Sequence, residues 1–263
     1  MYDFAYQKPT STAAAVSAMA TEDAKAMAGG MTLIPVLKQR LNKPSVVVDL
    51  AGLGLSGISV TADAVVIGAM TTHATVAASA DLRRAIPALA HLAGIIGDKE
   101  VRHRGTIGGS LANNDPAADY PAAALALGAT ITTTRRAIKA DDYFQGMFAT
   151  ALEADELITS VSFPIPAKAA YEKFKNPASR YAMVGVFVAK GPAGTRVAIT
   201  GAGQNGVFRH PGFEAALSAA WSADALKGVA TDAEGLNSDI HASAVYRAHL
   251  CNVVARKAVA AAG

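Results

Sequence analysis

Between residues 97 and 115 the chain reads GDKEVRHRGTIGGSLANND, rich in glycine and polar side chains and flanked by apolar segments. A compact chain seldom uses that much length for a plain connection, and long loops between ordered elements are usually functional. The stretch is expected to be a loop that carries a site, and its neighbours are expected to be the elements that hold it.

Residues 12–28 read as a helix, with Thr10 or Ser11 as N-cap. A Gly-Gly pair follows, then TLIPVLKQRL, which reads as a second helix. Leu33, Leu37 and Leu41 fall on one of its faces, Pro35 sits in the first turn, and Lys38, Arg40 and Lys43 complement the far end of the dipole. VVVDL (46–50) is a buried strand by its β-branched run. ISV and AVVIGA form a hairpin around Thr61 to Asp63. Residues 74–95 are helical with a restart at Pro87, and 122–127 is a short apolar helix stopped by Gly128. ATITTT and SVSFPIP are strands. From about residue 170 the pattern changes to two strands, AMVGVFVAK and TRVAITGAG, joined at 191–194, with helices at 212–220 and 243–260. That order predicts a separate α+β segment at the C-terminal end.

Several chemistries are disfavoured at once. Half the residues are apolar, 17% are charged and the net charge is +3 with signs interspersed, so neither nucleic acid nor a membrane surface is indicated. Cys251 is the only cysteine, which excludes an internal disulfide or an iron–sulfur cluster held by this chain alone. His73, His91, His103, His210, His241 and His249 form no HExxH and no pair with a carboxylate, so no metal site is expected. There is no G-x-S-x-G elbow for hydrolysis. No apolar stretch reaches the roughly 18 residues of a membrane helix, and the N-terminus lacks a leader pattern, so the expected compartment is the cytoplasm.

Two G-x-G-x-x-G patterns, Gly52 to Gly57 and Gly201 to Gly206, follow strands but lead into no helix, which a dinucleotide fingerprint requires. They read as turn glycines. Ala28-Gly29-Gly30-Met31-Thr32-Leu33 is different: its glycines permit close backbone approach to an anion and a helix follows. Gly105-Thr106-Ile107-Gly108-Gly109-Ser110 is a second such loop, trailed by Asn113, Asn114, Asp115 and Asp119. Backbone N–H groups there suit phosphate oxygens, and the carboxylates suit ribose hydroxyls. Each loop alone also reads as a capped turn; together they fit a dinucleotide.

AGGMTLIPVLKQRL, VIGAMTTHATVA, VRHRGTIGGSLANNDPAADYPAAALALGA, ALEADELITSVSFP and SDIHASAVYRAHL closely resemble the medium, FAD-binding subunit of the molybdenum hydroxylases. This is the family of carbon monoxide dehydrogenase, xanthine dehydrogenase and related bacterial hydroxylases, and the resemblance runs along essentially the whole chain.

The resemblance implies an α+β fold. A two-lobed flavin domain of the vanillyl-alcohol oxidase and p-cresol methylhydroxylase type would occupy 1–168, with lobes of about 1–54 and 55–168. A C-terminal domain with a three-stranded sheet and helices would occupy 169–263. Met27, Ala28, Gly29, Gly30, Met31, Thr32, Leu33 and Ile34 would wrap the FAD diphosphate from one lobe. Gly105, Thr106, Ile107, Gly108, Gly109 and Ser110 would do so from the other, and Asp119 would hold polar groups of the cofactor. Ile96, Val101, Asn113 and Ile158 would line the pocket. Lys175 and Tyr181 would stand beside the flavin ring, where a cation stabilises the anionic reduced form and raises the potential.

Ser110 stands where many relatives have asparagine, Met31 replaces a smaller or more polar residue, and the 131–143 region is short, with a tight turn near Arg135-Arg136. By the same resemblance the chain is an electron-transfer oxidoreductase subunit with no catalytic acid or base. A large subunit would carry the molybdenum cofactor and a small subunit [2Fe-2S] clusters, in a dimer of heterotrimers, with an external electron acceptor. The residues alone leave open a free-standing flavin oxidoreductase with its own substrate pocket.

Overall fold

The valine run at 46–48 forms the centre of a small parallel sheet. The computed structural model describes residues 1–263. It begins with β1 (Ala5–Gln7), α1 (Thr12–Met19), β2 (Lys25–Met27), α2 (Leu33–Lys38) and β3 (Val46–Asp49). β3 lies between β1 and β2 and is parallel to both, with Tyr6 opposite Val47 and Ala26 opposite Val48. The helix expected over 12–28 therefore ends at Met19. Asp23 turns the chain at a positive φ of 56°, and Lys25–Met27 leaves the helix to pair with the valines. A ladder on a buried strand outweighs the helical propensity of alanine, lysine and methionine. α2 also stops early. Arg40 adopts a φ of 59°, Leu41 N–H donates to the Val36 carbonyl at 3.0 Å, and the Leu41 side chain points into solvent. That closure leaves Leu41 off the Leu33–Leu37 face.

The next segment comprises β4 (Ile58–Val60), β5 (Ala64–Gly68), α3 (His73–Ala78), α4 (Ala80–Ala85), α5 (Pro87–Gly94), α6 (Lys99–Arg104), α7 (Ile107–Asn113) and α8 (Tyr120–Leu127). β6 (Thr130–Thr133), β7 (Ala137–Lys139), α9 (Ala140–Tyr143), β8 (Phe144–Gly146), β9 (Ala149–Thr150) and β10 (Ile158–Pro164) follow. The main sheet runs β4-β5-β10-β6-β7, antiparallel throughout. The stretch 97–115 is largely helical and not a loop. The Asp98 carboxylate caps α6 by accepting from Val101 N–H at 2.9 Å, and Thr106 Oγ1 caps α7 by accepting from Gly109 N–H at 3.1 Å. Gly108 sits inside a helix because a β-carbon there would come within 2.6 Å of the Ala69 side chain.

The chain ends with β11 (Lys168–Lys175), β12 (Ala182–Gly191), β13 (Gly194–Thr200), β14 (Phe208–Arg209), α10 (Pro211–Ala219) and α11 (Ala244–Ala262). The expected three strands carry a fourth, two-residue strand, in the order β11-β12-β13-β14. Both faces of this sheet are covered, which explains the unbroken apolar run in β12. Val184, Val186 and Val188 face α10 and α11, whereas Tyr171, Phe187, Ala189 and Ala198 join the core of the preceding segment. α8 is buried along its whole length in that shared core. Neither G-x-G-x-x-G pattern leads into a helix: Gly54 and Gly57 sit at positive φ before β4, and Gly206 precedes β14.

Candidate functional site

The two Gly-Gly segments, far apart in sequence, touch. A β-carbon on Gly29 would lie 1.9 Å from the Arg104 carbonyl oxygen and 2.9 Å from Gly105 N, and one on Gly109 would lie 3.4 Å from Ala28 Cβ. Gly30 turns the chain toward α2 at a φ of +76°. The first segment thus lies flat against the second, a fit available only without side chains. Within it the N–H groups of Gly29, Gly30, Met31 and Thr32 donate to no acceptor in the chain, although Gly29 and Gly30 are buried. Buried backbone donors without acceptors are rare. A row of them is a cradle for phosphate oxygens.

The second segment is already hydrogen-bonded. Gly105 O accepts from His73 N–H at 3.0 Å, and the N–H groups of Ile107 and Gly108 donate to the carbonyls of Thr71 (3.1 Å) and Ala69 (2.9 Å). Four of the free amides come from the first segment, and the second contributes Thr106 N–H and close-approach surface together with the half-buried Ser110 and Asn113. The α7 cap and the bonds to the β5–α3 connection occupy most of the second segment's N–H groups, and Thr106 N–H, on a buried residue, is the one left without an acceptor. Beneath Gly105, the His73 and Tyr120 rings meet tilted by 49° with centroids 5.3 Å apart, and His73 Nδ1 and the Tyr120 hydroxyl have no partner. Burial, assisted by the Arg102 charge, pulls the His73 pKa down to about 4, so the imidazole is neutral at ordinary pH.

A third wall is the turn after α5. Arg102 Nη1 donates to the carbonyls of Ile96 (2.8 Å) and Gly97 (3.1 Å), and Val101 packs against Gly97. Lys173 Nζ donates to Ile95 O at 3.0 Å and meets the Asp119 carboxylate at 3.0 Å, while the Tyr171 hydroxyl donates to Asp119 Oδ1 at 2.5 Å. Burial pushes the Asp119 carboxyl up, against the pull of Lys173 and Tyr171. Lys173 and Tyr171 are absent from the residues expected from sequence. Their signal lay in the alternation of KAAYEKFK, which puts both on the face of β11 turned to the core.

Other expected residues fall around this centre. Ile34 packs on Gly30, and Met27 is half-buried at the end of β2. Ile96 and Ile158 belong to one apolar core, Ile158 fully within it at the start of β10. Tyr181 is half exposed, and burial, then the charges of Asp115 and Asp119, raises its hydroxyl pKa, which sets it on the Asp119 side. Lys175 is exposed at a bulge that ends β11, two residues beyond the buried Lys173. Met31 and Thr32 are exposed at the mouth of α2, and Leu33 is half-buried. The neighbouring Asn114 takes a left-handed φ of 43° and ties the β8–β9 hairpin down through Gly146 O and Ala149 O.

A row of free amides, running from two buried glycines out to the exposed Met31 and Thr32, on a flat glycine seam suits a diphosphate-bearing cofactor. Residues 2–166 match the family described as the FAD binding domain in molybdopterin dehydrogenase. The chain belongs to the family of FAD-binding medium subunits of molybdenum hydroxylases. It is 36% identical to the carbon monoxide dehydrogenase medium chain of Afipia carboxidovorans, covering 97% of this chain and 95% of that one. It is 35% identical to the nicotine 6-hydroxylase medium subunit of Paenarthrobacter nicotinovorans, covering 98% and 96%. Among solved structures, reconstituted CO dehydrogenase from Oligotropha carboxidovorans superposes with a TM-score of 0.91 at 34% identity, over 99% of this chain and 98% of that one. Quinoline 2-oxidoreductase from Pseudomonas putida 86 does so at 0.88 and 29%, over 99% and 97%. This medium subunit is therefore an FAD-binding component of an oxidoreductase. No helix in it is long and apolar enough to cross a membrane.

Proposed function

We propose that the chain is the electron relay of a heteromeric molybdenum hydroxylase, taking electrons from iron–sulfur clusters on a small subunit and passing them to an external acceptor. A large subunit with the molybdenum cofactor would oxidise the substrate, the whole forming a dimer of heterotrimers in the cytoplasm. One observation carries the reading: the seam at Gly29 and Arg104–Gly105, with four free N–H groups above it. Met27 to Ile34 hold the diphosphate through those amides, and Gly105 to Ser110 supply the opposing surface. Ile96, Val101, Asn113 and Ile158 line the pocket, Asp119 anchors polar groups, and Lys175 and Tyr181 stand by the ring. FAD supplies the redox chemistry, and the chain binds, orients and shields it. The flavin-binding part would end near residue 168, where β11 opens the C-terminal sheet, with its lobes meeting near residue 54.

Purified alone, the chain should be yellow, accept electrons from artificial donors and oxidise no organic substrate. From its native source it should co-purify with molybdenum and iron in one complex. Turnover of a small alcohol or sugar by the isolated chain would sink the relay reading in favour of a free-standing oxidoreductase.

A further inference from the structure

We propose that Lys173 is a positioning residue of the flavin site, locking Asp119 and the Ile95–Gly97 turn in the register the cofactor requires; this rests on the reading of Asp119 and Ile96 as cofactor contacts. Lys173 lies on β11, beyond residues 2–166 that match the FAD-binding family, so the C-terminal sheet contributes to the site. Its side chain is 2% exposed, and that of Asp119 is 5%. An ammonium has three donors. Here two of them donate, to Asp119 Oδ2 at 3.2 Å and Ile95 O at 3.0 Å, and Nζ also lies 3.0 Å from Asp119 Oδ1. Tyr171, two residues earlier on the same strand face, adds its hydroxyl to Asp119 Oδ1 at 2.5 Å. One strand thus grips two separate segments, the start of α8 and the turn after α5. The pair is neutral overall, so its effect on the flavin is geometric while both partners are present. Removing one leaves an uncompensated buried charge, which is strongly unfavourable.

The test is a double-mutant cycle on the full chain, titrating FAD and then measuring the visible spectrum and midpoint potential at saturation. Lys173→Met should weaken FAD binding at least tenfold, alter the bound-flavin spectrum and shift the potential negative, because Asp119 is no longer compensated. The Lys173→Met/Asp119→Asn chain should bind FAD at least as tightly as Asp119→Asn, which by itself strands the ammonium. A purely structural lysine would lower the melting temperature and leave spectrum and potential at native values; that result overturns the proposal, as does a cycle in which the two losses multiply. If Lys173→Met fails to fold, the comparison of the double variant with Asp119→Asn decides, and weaker binding by the double variant overturns the proposal. A native chain that takes up no FAD fails the flavin reading itself, and the proposal with it.

Discussion

The α-carbon of Gly29 rests against the carbonyl of Arg104, so close that a β-carbon would stand 1.9 Å from the oxygen. Gly29→Ala must therefore part the two segments or distort both. The expected cost is about 3 kcal/mol, equivalent to about a hundredfold loss of FAD affinity if it falls on the closed arrangement. FAD titration of the variant checks this, and native affinity in a folded Gly29→Ala chain would mean the seam is not where the diphosphate sits.

The N–H groups at Gly29 to Thr32 have no acceptor within the chain, and the proposed diphosphate would supply them. FAD should therefore stabilise the chain by mass action, by about 2.7 kcal/mol at a hundred times its dissociation constant. Thermal melts across an FAD series measure this. FMN, which lacks the diphosphate, should raise the melting temperature far less, and an equal rise with FMN would remove the cradle from the argument.

His73 gives the chain an acid limit. Its folded-state pKa is held at about 4, below the ordinary 6.5, by burial and by Arg102. The unfolded chain binds the proton first as pH falls, so stability is intact above pH 6.5 and declines as pH drops from 6.5 through 4. The full effect is about 3 kcal/mol. Urea melts at pH 7, 5.5 and 4 should show the native chain losing stability over that window, and His73→Gln should flatten the slope. An unchanged slope in the variant would mean that other groups set the acid limit.

Much of this was legible from local chemistry. Gly128 stops α8 in the left-handed conformation that glycine takes without strain, and the helix expected over 212–220 runs from Pro211 to Ala219. Both features depend on residues a turn away. What failed depended on partners far along the chain. Lys25–Met27 is a strand because β3 lies beside it, and position 108 inside α7 is a glycine because Ala69 leaves no room for a side chain. The cation in the core, Lys173, was hidden for the same reason. Its carboxylate is more than fifty residues upstream, whereas the nearby Lys175 matched a family pattern. The seam itself could be guessed as two loops, but their contact is a tertiary fact.

Arg247 links the C-terminal helix to the site from behind. It is buried on α11, and Nη1 donates to Met183 O at 2.6 Å and Gly201 O at 3.1 Å, while Nη2 meets Asp239 Oδ2 at 2.7 Å. Gly201 N–H in turn donates to Pro116 O at 2.8 Å, and Thr200 Oγ1 donates to Ala118 O at 2.6 Å, so the end of β13 props the segment leading to Asp119. Arg247→Met fills similar space but strands the Met183 carbonyl and leaves Gly201 O with only the long bond from Asn237 Nδ2 at 3.5 Å, a buried acceptor left unmade costing about 1–3 kcal/mol. The expected loss of stability is about 3 kcal/mol by urea denaturation at neutral pH. Because Gly201 stands between Arg247 and the site, FAD affinity of the folded variant should fall less than that of Lys173→Met, which acts on Asp119 directly. If Arg247→Met lost more FAD affinity than Lys173→Met while remaining folded, the main support of Asp119 would lie in β13 and α11, and β11 would be secondary.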